Sequence, residues 1–82
     1  MHDQIISTCI KDRLNDIKEL EIMIANEQTQ ELKLVWQYQI NLNKQTIDQL
    51  IQGNYEIALA LIKEITRSTK ATTNYRLATA RR

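Results

Sequence analysis

The sequence predicts an all-α protein: an antiparallel helical hairpin with a shorter third helix folded over it, a small helical bundle, followed by a basic C-terminal tail rich in threonine, alanine and arginine. Three observations carry that prediction. The 82 residues include no proline and a single glycine, whereas strand-rich chains of this size use both in turns about every 8 to 12 residues. Apolar residues recur with a helical period in three successive segments. A hydrophobic fraction of 43% beside 26% charged residues is the balance of a folded, soluble chain.

The first helix is expected over about residues 4–25. Ile6, Ile10, Ile17, Leu20 and Ile24 fall at heptad spacing, with Leu14 thickening the stripe, while Asp12, Asp16 and Glu19 lie on the other side. Asp3 is the expected N-cap. The pattern ends in Asn26-Glu27-Gln28-Thr29, where Asn26 suits a left-handed C-cap and Thr29 suits the cap of the next helix.

The second segment fits two periods. With period two, Leu32, Leu34, Trp36, Tyr38, Ile40 and Leu42 alternate with polar residues as a strand would. With period 3.6, Leu32, Trp36, Ile40, Asn43, Ile47 and Leu50 share one face. The helical stripe continues after the alternation stops, and an isolated long strand would lack a partner. A helix over about 30–52 therefore follows, and at about 33 Å it matches the first in length.

A third helix is expected over about 55–67, carried by Ala58, Leu61 and Ile65. Gly53 reads as a C-cap and Asn54 as the next N-cap. The run Gly53-Asn54-Tyr55-Glu56-Ile57-Ala58 resembles the inter-helix turn of tetratricopeptide-type repeats over about a dozen residues. That resemblance implies a break at Gly53 and a close helix approach at Ala58. The preceding helix departs from the repeat's pattern at Thr46 and Gln49, and one partial unit does not build a solenoid. Residues 68–82, where Tyr75 and Leu77 stand alone among threonine, alanine and arginine, are expected to form a flexible basic tail.

Charge divides along the same line. Residues 1–64 carry ten acids against six bases, whereas Arg67, Lys70, Arg76, Arg81 and Arg82 follow with no acid among them. The sole histidine, His2, has no neighbours that would make it a catalytic base, and Cys9 sits beside the apolar stripe as a small hydrophobe. These residues give no metal set and imply no cofactor or small-molecule substrate, so the chain is expected to be non-enzymatic. One cysteine and no apolar run near the roughly 20 residues that span a bilayer point to a cytoplasmic location.

Function is expected to reside in the second helix, which is apolar on too many sides for one neighbour to cover. Leu32, Val35, Trp36, Tyr38, Ile40 and Asn43 are the expected partner-binding residues, Asn43 acting as a register-setting amide. The expectation is an adaptor-like or chaperone-like module that binds a protein partner or a second copy of itself. The alternative is a nucleic-acid-associated regulator, a helical dimer whose tail uses Arg67, Lys70, Arg76, Arg81 and Arg82 on phosphates.

Overall fold

A computed structural model describes residues 2–80 as three helices and no strand: α1 (His2–Asn26), α2 (Gln30–Gln52) and α3 (Tyr55–Ala80). The alternating reading of Leu32 to Leu42 thus gives way to the helical one, since that whole segment lies inside α2. α2 is the central element. α1 and α3 each pack along it and make no close backbone approach to one another.

The break after α2 follows from Gly53. Its φ of 82° lies in the left-handed region, which costs a residue with a Cβ about 1 to 2 kcal/mol. That conformation lets the Gly53 amide donate to the Leu50 carbonyl at 3.2 Å and the Asn54 amide to the Gln49 carbonyl at 2.9 Å. These two bonds satisfy carbonyls at the end of α2 in the pattern of a Schellman cap. The Asn54 side chain does not cap α3 as expected; its amide donates back to Gln49 Oε1 at 2.8 Å. Ala58, just beyond the turn, is 1% exposed, which fits the close approach implied by its small side chain.

The two ends of α1 and the start of α2 differ from the sequence reading in three places. Asp3 lies inside the first turn of α1, where its charge favours the helix dipole rather than capping from outside. Asn26 is not left-handed, since no described residue other than Gly53 has positive φ. Thr29 occupies the N-cap position of α2 without a side-chain bond. Glu27 instead braces the connection: its Oε1 accepts from the main-chain amides of Gln28 at 3.0 Å and Thr29 at 3.2 Å. Those bonds, the one from Thr29 foremost, hold the Glu27 carboxyl below its ordinary pKa of 4.5.

Two unlike interfaces hold the helices together. Between α1 and α2 lies an apolar core of Ile17, Leu20, Leu32, Trp36 and Ile40, with Met23, Ile24 and Ile47 packed against it. Leu14 does not belong to it, being 53% exposed. Arg13 takes the stripe position between Ile10 and Ile17 and pairs with Asp16 at 3.0 Å. α3 also buries Ala58 and Ile65, and its contact with α2 carries a polar seam. Gln39, Asn43, Thr46, Ser68 and Thr72 are all buried, and the Gln39 amide donates to Ser68 Oγ at 3.0 Å and reaches Thr72 Oγ1 at 3.5 Å.

That polar seam explains the largest departure from the sequence reading. The third helix does not stop near residue 67 but runs to Ala80. Ala58, Leu61, Ile65, Ser68 and Thr72 follow one 3-4 spacing, so α3 keeps facing α2 after its large apolar residues end. The threonines also satisfy their own hydroxyls within the helix: Thr66, Thr69, Thr72 and Thr73 each donate to the carbonyl four residues earlier, at 2.8 to 3.1 Å.

Candidate interaction surface

The expected partner-binding residues divide by burial. Leu32, Trp36, Ile40 and Asn43 are interior, at 8%, 3%, 2% and 0% exposure. The first three belong to the core shared with α1, so their apolar surface is already covered by the chain itself. Val35 is half-buried and Tyr38 is 45% exposed. Open apolar surface on α2 thus remains at Ile51, 70% exposed near the Gly53 turn, and along its outer edge toward α3, where Leu34, absent from the expected set, is 61% exposed.

That edge borders a groove of about 500 Å³ between α2 and α3. Leu34, Val35 and Tyr38 line it from α2, and Arg67, Ala71 and Tyr75 from α3, with Glu31 at one end. The lining follows from helix geometry. On α2, Glu31, Leu34, Val35 and Tyr38 fall one turn apart, and on α3 Arg67, Ala71 and Tyr75 fall at four-residue intervals. Because the helices run antiparallel, the two rows meet in opposite order. The Tyr38 hydroxyl donates to Glu64 Oε1 at 3.1 Å near one end, and the Tyr75 hydroxyl to Glu31 Oε2 at 3.4 Å at the other.

The charges around the groove are mutually engaged. Arg67 Nε donates to Glu64 Oε2 at 2.9 Å, and its Nη2 to Glu64 Oε1. Arg67 holds the Glu64 carboxyl below its ordinary 4.5, with the bond from Tyr38 acting the same way. Partial withdrawal from water pushes the Tyr38 hydroxyl above its ordinary 10, aided by the negative Glu64 it donates to. The ends of the groove are thus polar and its middle apolar.

The bases assigned to a phosphate-binding tail do not share one face. Arg67 borders the α2–α3 groove. Lys70 and Arg76 stand on the side of α3 toward α1, where the Arg76 guanidinium lies 5.7 Å from the centroid of the Trp36 ring. Arg81 and Arg82 lie outside the described residues.

On that other side, α1 and α3 flank a cleft of about 230 Å³ floored by α2. Asp16, Trp36, Gln39, Asn43, Thr69 and Arg76 contribute to its lining. The Asn43 side chain is fully buried and its Nδ2 donates to the Gln39 carbonyl at 2.8 Å, while Oδ1 has no hydrogen-bond partner. Cys9 is half-buried in α1. Among the described residues no group of three or more His, Cys, Asp or Glu side chains stands together as a metal site, and no helix is long and apolar enough to cross a membrane.

Comparisons with models of protein families, with curated proteins and with solved structures each find no match to this chain.

Proposed function

We propose that this chain is a small interaction module, adaptor-like in character, whose docking surface is the α2–α3 groove. The observation that supports this reading is the apolar middle of that groove. Leu34, Val35, Tyr38, Ala71 and Tyr75 line one continuous strip, and the chain's own three helices leave Leu34, Tyr38 and Tyr75 about half exposed or more. A strip between two antiparallel helices has the shape that receives an amphipathic helix, whose side chains at i, i+3, i+4 and i+7 enter it. Two tyrosines at its ends supply rigid apolar area with a polar tip, the type of side chain favoured at recognition surfaces.

Selection of displayed helical peptides against the full chain tests the reading. Bound peptides are expected to be amphipathic and to shift the amide resonances of residues 31–38 and 67–75. Ala71→Arg, which places a long charged side chain in the middle of the groove, is expected to abolish that binding while helicity is retained. Selected peptides that map to α1, or that bind the Ala71→Arg chain unchanged, would overturn it.

A further inference from the structure

We infer that the α3 wall of this groove is a latched arm: residues 68–80 are helical only while docked on α2, open as one unit, and are held closed by an occupant of the groove. The inference rests on the docking reading above and adds how that site is regulated. The opening itself is measurable whether or not anything docks.

α3 is uneven along its length. Its first half seals against α2 with apolar side chains, Ala58 at 1% and Ile65 at 7% exposure. Beyond Ile65 the buried residues among those described are Ser68 and Thr72, while Tyr75 and Leu77 stand about half exposed. No large apolar side chain there is fully withdrawn from water, so the hydrophobic term that fixes the first half is weak in the second. Polar contacts dock this part. The Gln39 amide donates to Ser68 Oγ at 3.0 Å, the Tyr75 hydroxyl donates to Glu31 Oε2 at 3.4 Å, and the Arg76 guanidinium lies over the Trp36 ring. Hydrogen bonds of this kind replace bonds to water, and each adds little net stability.

Once undocked, the arm does not hold its helix. Isolated helices shorter than about 12 to 15 residues are marginal in water even when rich in alanine. Residues 68–80 are at that limit and carry Ser68, Thr69, Thr72, Thr73 and Asn74, side chains that lose rotamer freedom in a helix or compete for its main-chain bonds. α1 gives the arm no second support, because α1 and α3 make no close backbone approach. α2, in contrast, stays in place when the arm leaves: Leu32, Trp36 and Ile40 are packed with Ile17 and Leu20 of α1. Opening is therefore sub-global, a local unfolding that spares the α1–α2 core.

The groove feels this opening directly. Ser68, Ala71, Thr72 and Tyr75 line it from the arm, so an open arm removes most of one wall. An occupant binds the closed form, its apparent affinity scales with the closed fraction, and its binding raises that fraction in turn. The latch stands clear of the occupant, since the Gln39 side chain borders the cleft on the opposite side of α3.

Native-state hydrogen exchange of the full chain, read residue by residue by NMR, tests this. The amides of residues 72–80 are expected to share one opening and to exchange about 100-fold or more faster than those of residues 60–66. Gln39→Ala should speed that shared opening about tenfold. Ile17→Val loosens the core that an open arm leaves intact; it should speed exchange of residues 36–42 about two- to tenfold and leave residues 72–80 unchanged. A groove-binding peptide selected as above, at 100 times its dissociation constant, should slow residues 72–80 about 100-fold. Exchange of residues 72–80 as slow as that of 60–66, or speeded equally by Ile17→Val, would make α3 one rigid helix. Protection that declines evenly toward residue 80 and ignores Gln39→Ala would make the segment a frayed end. Either result overturns the arm and leaves the docking reading standing wherever selected peptides still bind the groove. An arm that opens as expected but is not slowed by a bound peptide would overturn the coupling. An arm that opens in a chain binding no peptide would end the docking reading, and the coupling with it, while the latch at Gln39 stands.

Discussion

Asn43→Leu is expected to make this protein more stable, and the expectation can be worked from the surroundings of one side chain. Asn43 is 0% exposed. Its Nδ2 donates to the Gln39 carbonyl at 2.8 Å, a bond to the preceding turn of the same helix, and its Oδ1 is buried without a partner. A buried acceptor left unsatisfied costs about 1 to 3 kcal/mol, and the one bond that would be lost contributes about 0.5 to 1.5 kcal/mol. The Gln39 carbonyl keeps its main-chain bond in α2, so removing the amide orphans nothing. Leucine has the same branching as asparagine and somewhat larger ends, and Asn43 borders the 230 Å³ cleft, which gives those ends room. Overpacking is therefore small, and the newly buried methyl groups add stability of their own. The sum is a gain of about 1 to 3 kcal/mol. For a chain of this size each kcal/mol moves the melting temperature by about 4 to 8 °C. Urea unfolding of the parent and of Asn43→Leu, with equal m-values, is the direct assay. A loss of more than about 1 kcal/mol would refute the reasoning and mean that Oδ1 is satisfied through the cleft. Asn43→Asp, which places a negative charge on the same atoms, should instead destabilise strongly.

Three further outcomes follow from the same packing. Trp36→Ala, at 3% exposure in the α1–α2 core, should cost about 3 to 5 kcal/mol, a large share of the roughly 4 to 12 kcal/mol expected of 82 residues; a chemical melt within 1 kcal/mol of the parent would show that α1 does not depend on this side chain. Gly53→Ala should cost about 1 kcal/mol by urea titration. No atom lies within 4 Å of the added Cβ, so the cost is that of the left-handed backbone alone, and Gly53→Asn should recover part of it. Because Arg67 lowers the folded-state pKa of Glu64 from 4.5, Glu64 contributes stability above that value and loses it as pH falls through the lower folded-state value. The melting temperature of the parent should therefore fall more steeply below pH 4.5 than that of Glu64→Gln, and parallel curves would remove this pair from the account.

The sequence by itself determined the helices and their order. The missing prolines, the single glycine and the 3.6-residue recurrence left few alternatives, and Gly53 had to end α2 because it is the residue that reaches positive φ without a steric penalty. The apolar stripes also named most of the α1–α2 core, since large side chains at heptad spacing must be withdrawn from water. Which apolar residues remain open was a tertiary matter. Trp36 and Ile40 read as surface anchors as long as α2 was counted with one neighbour; α1 covers them, and Leu34, Tyr38 and Tyr75 are left along the groove with α3. The length of α3 was likewise decided by packing. Ser68 and Thr72 look like tail residues in isolation, and their place in the stripe becomes visible only with Gln39 opposite, whose amide donates to Ser68 Oγ and reaches Thr72 Oγ1. The ordering of Glu31, Leu34 and Tyr38 against Arg67, Ala71 and Tyr75 has the same origin. Each row is present in the sequence, but only the antiparallel docking of α2 on α3 sets one beside the other in reverse.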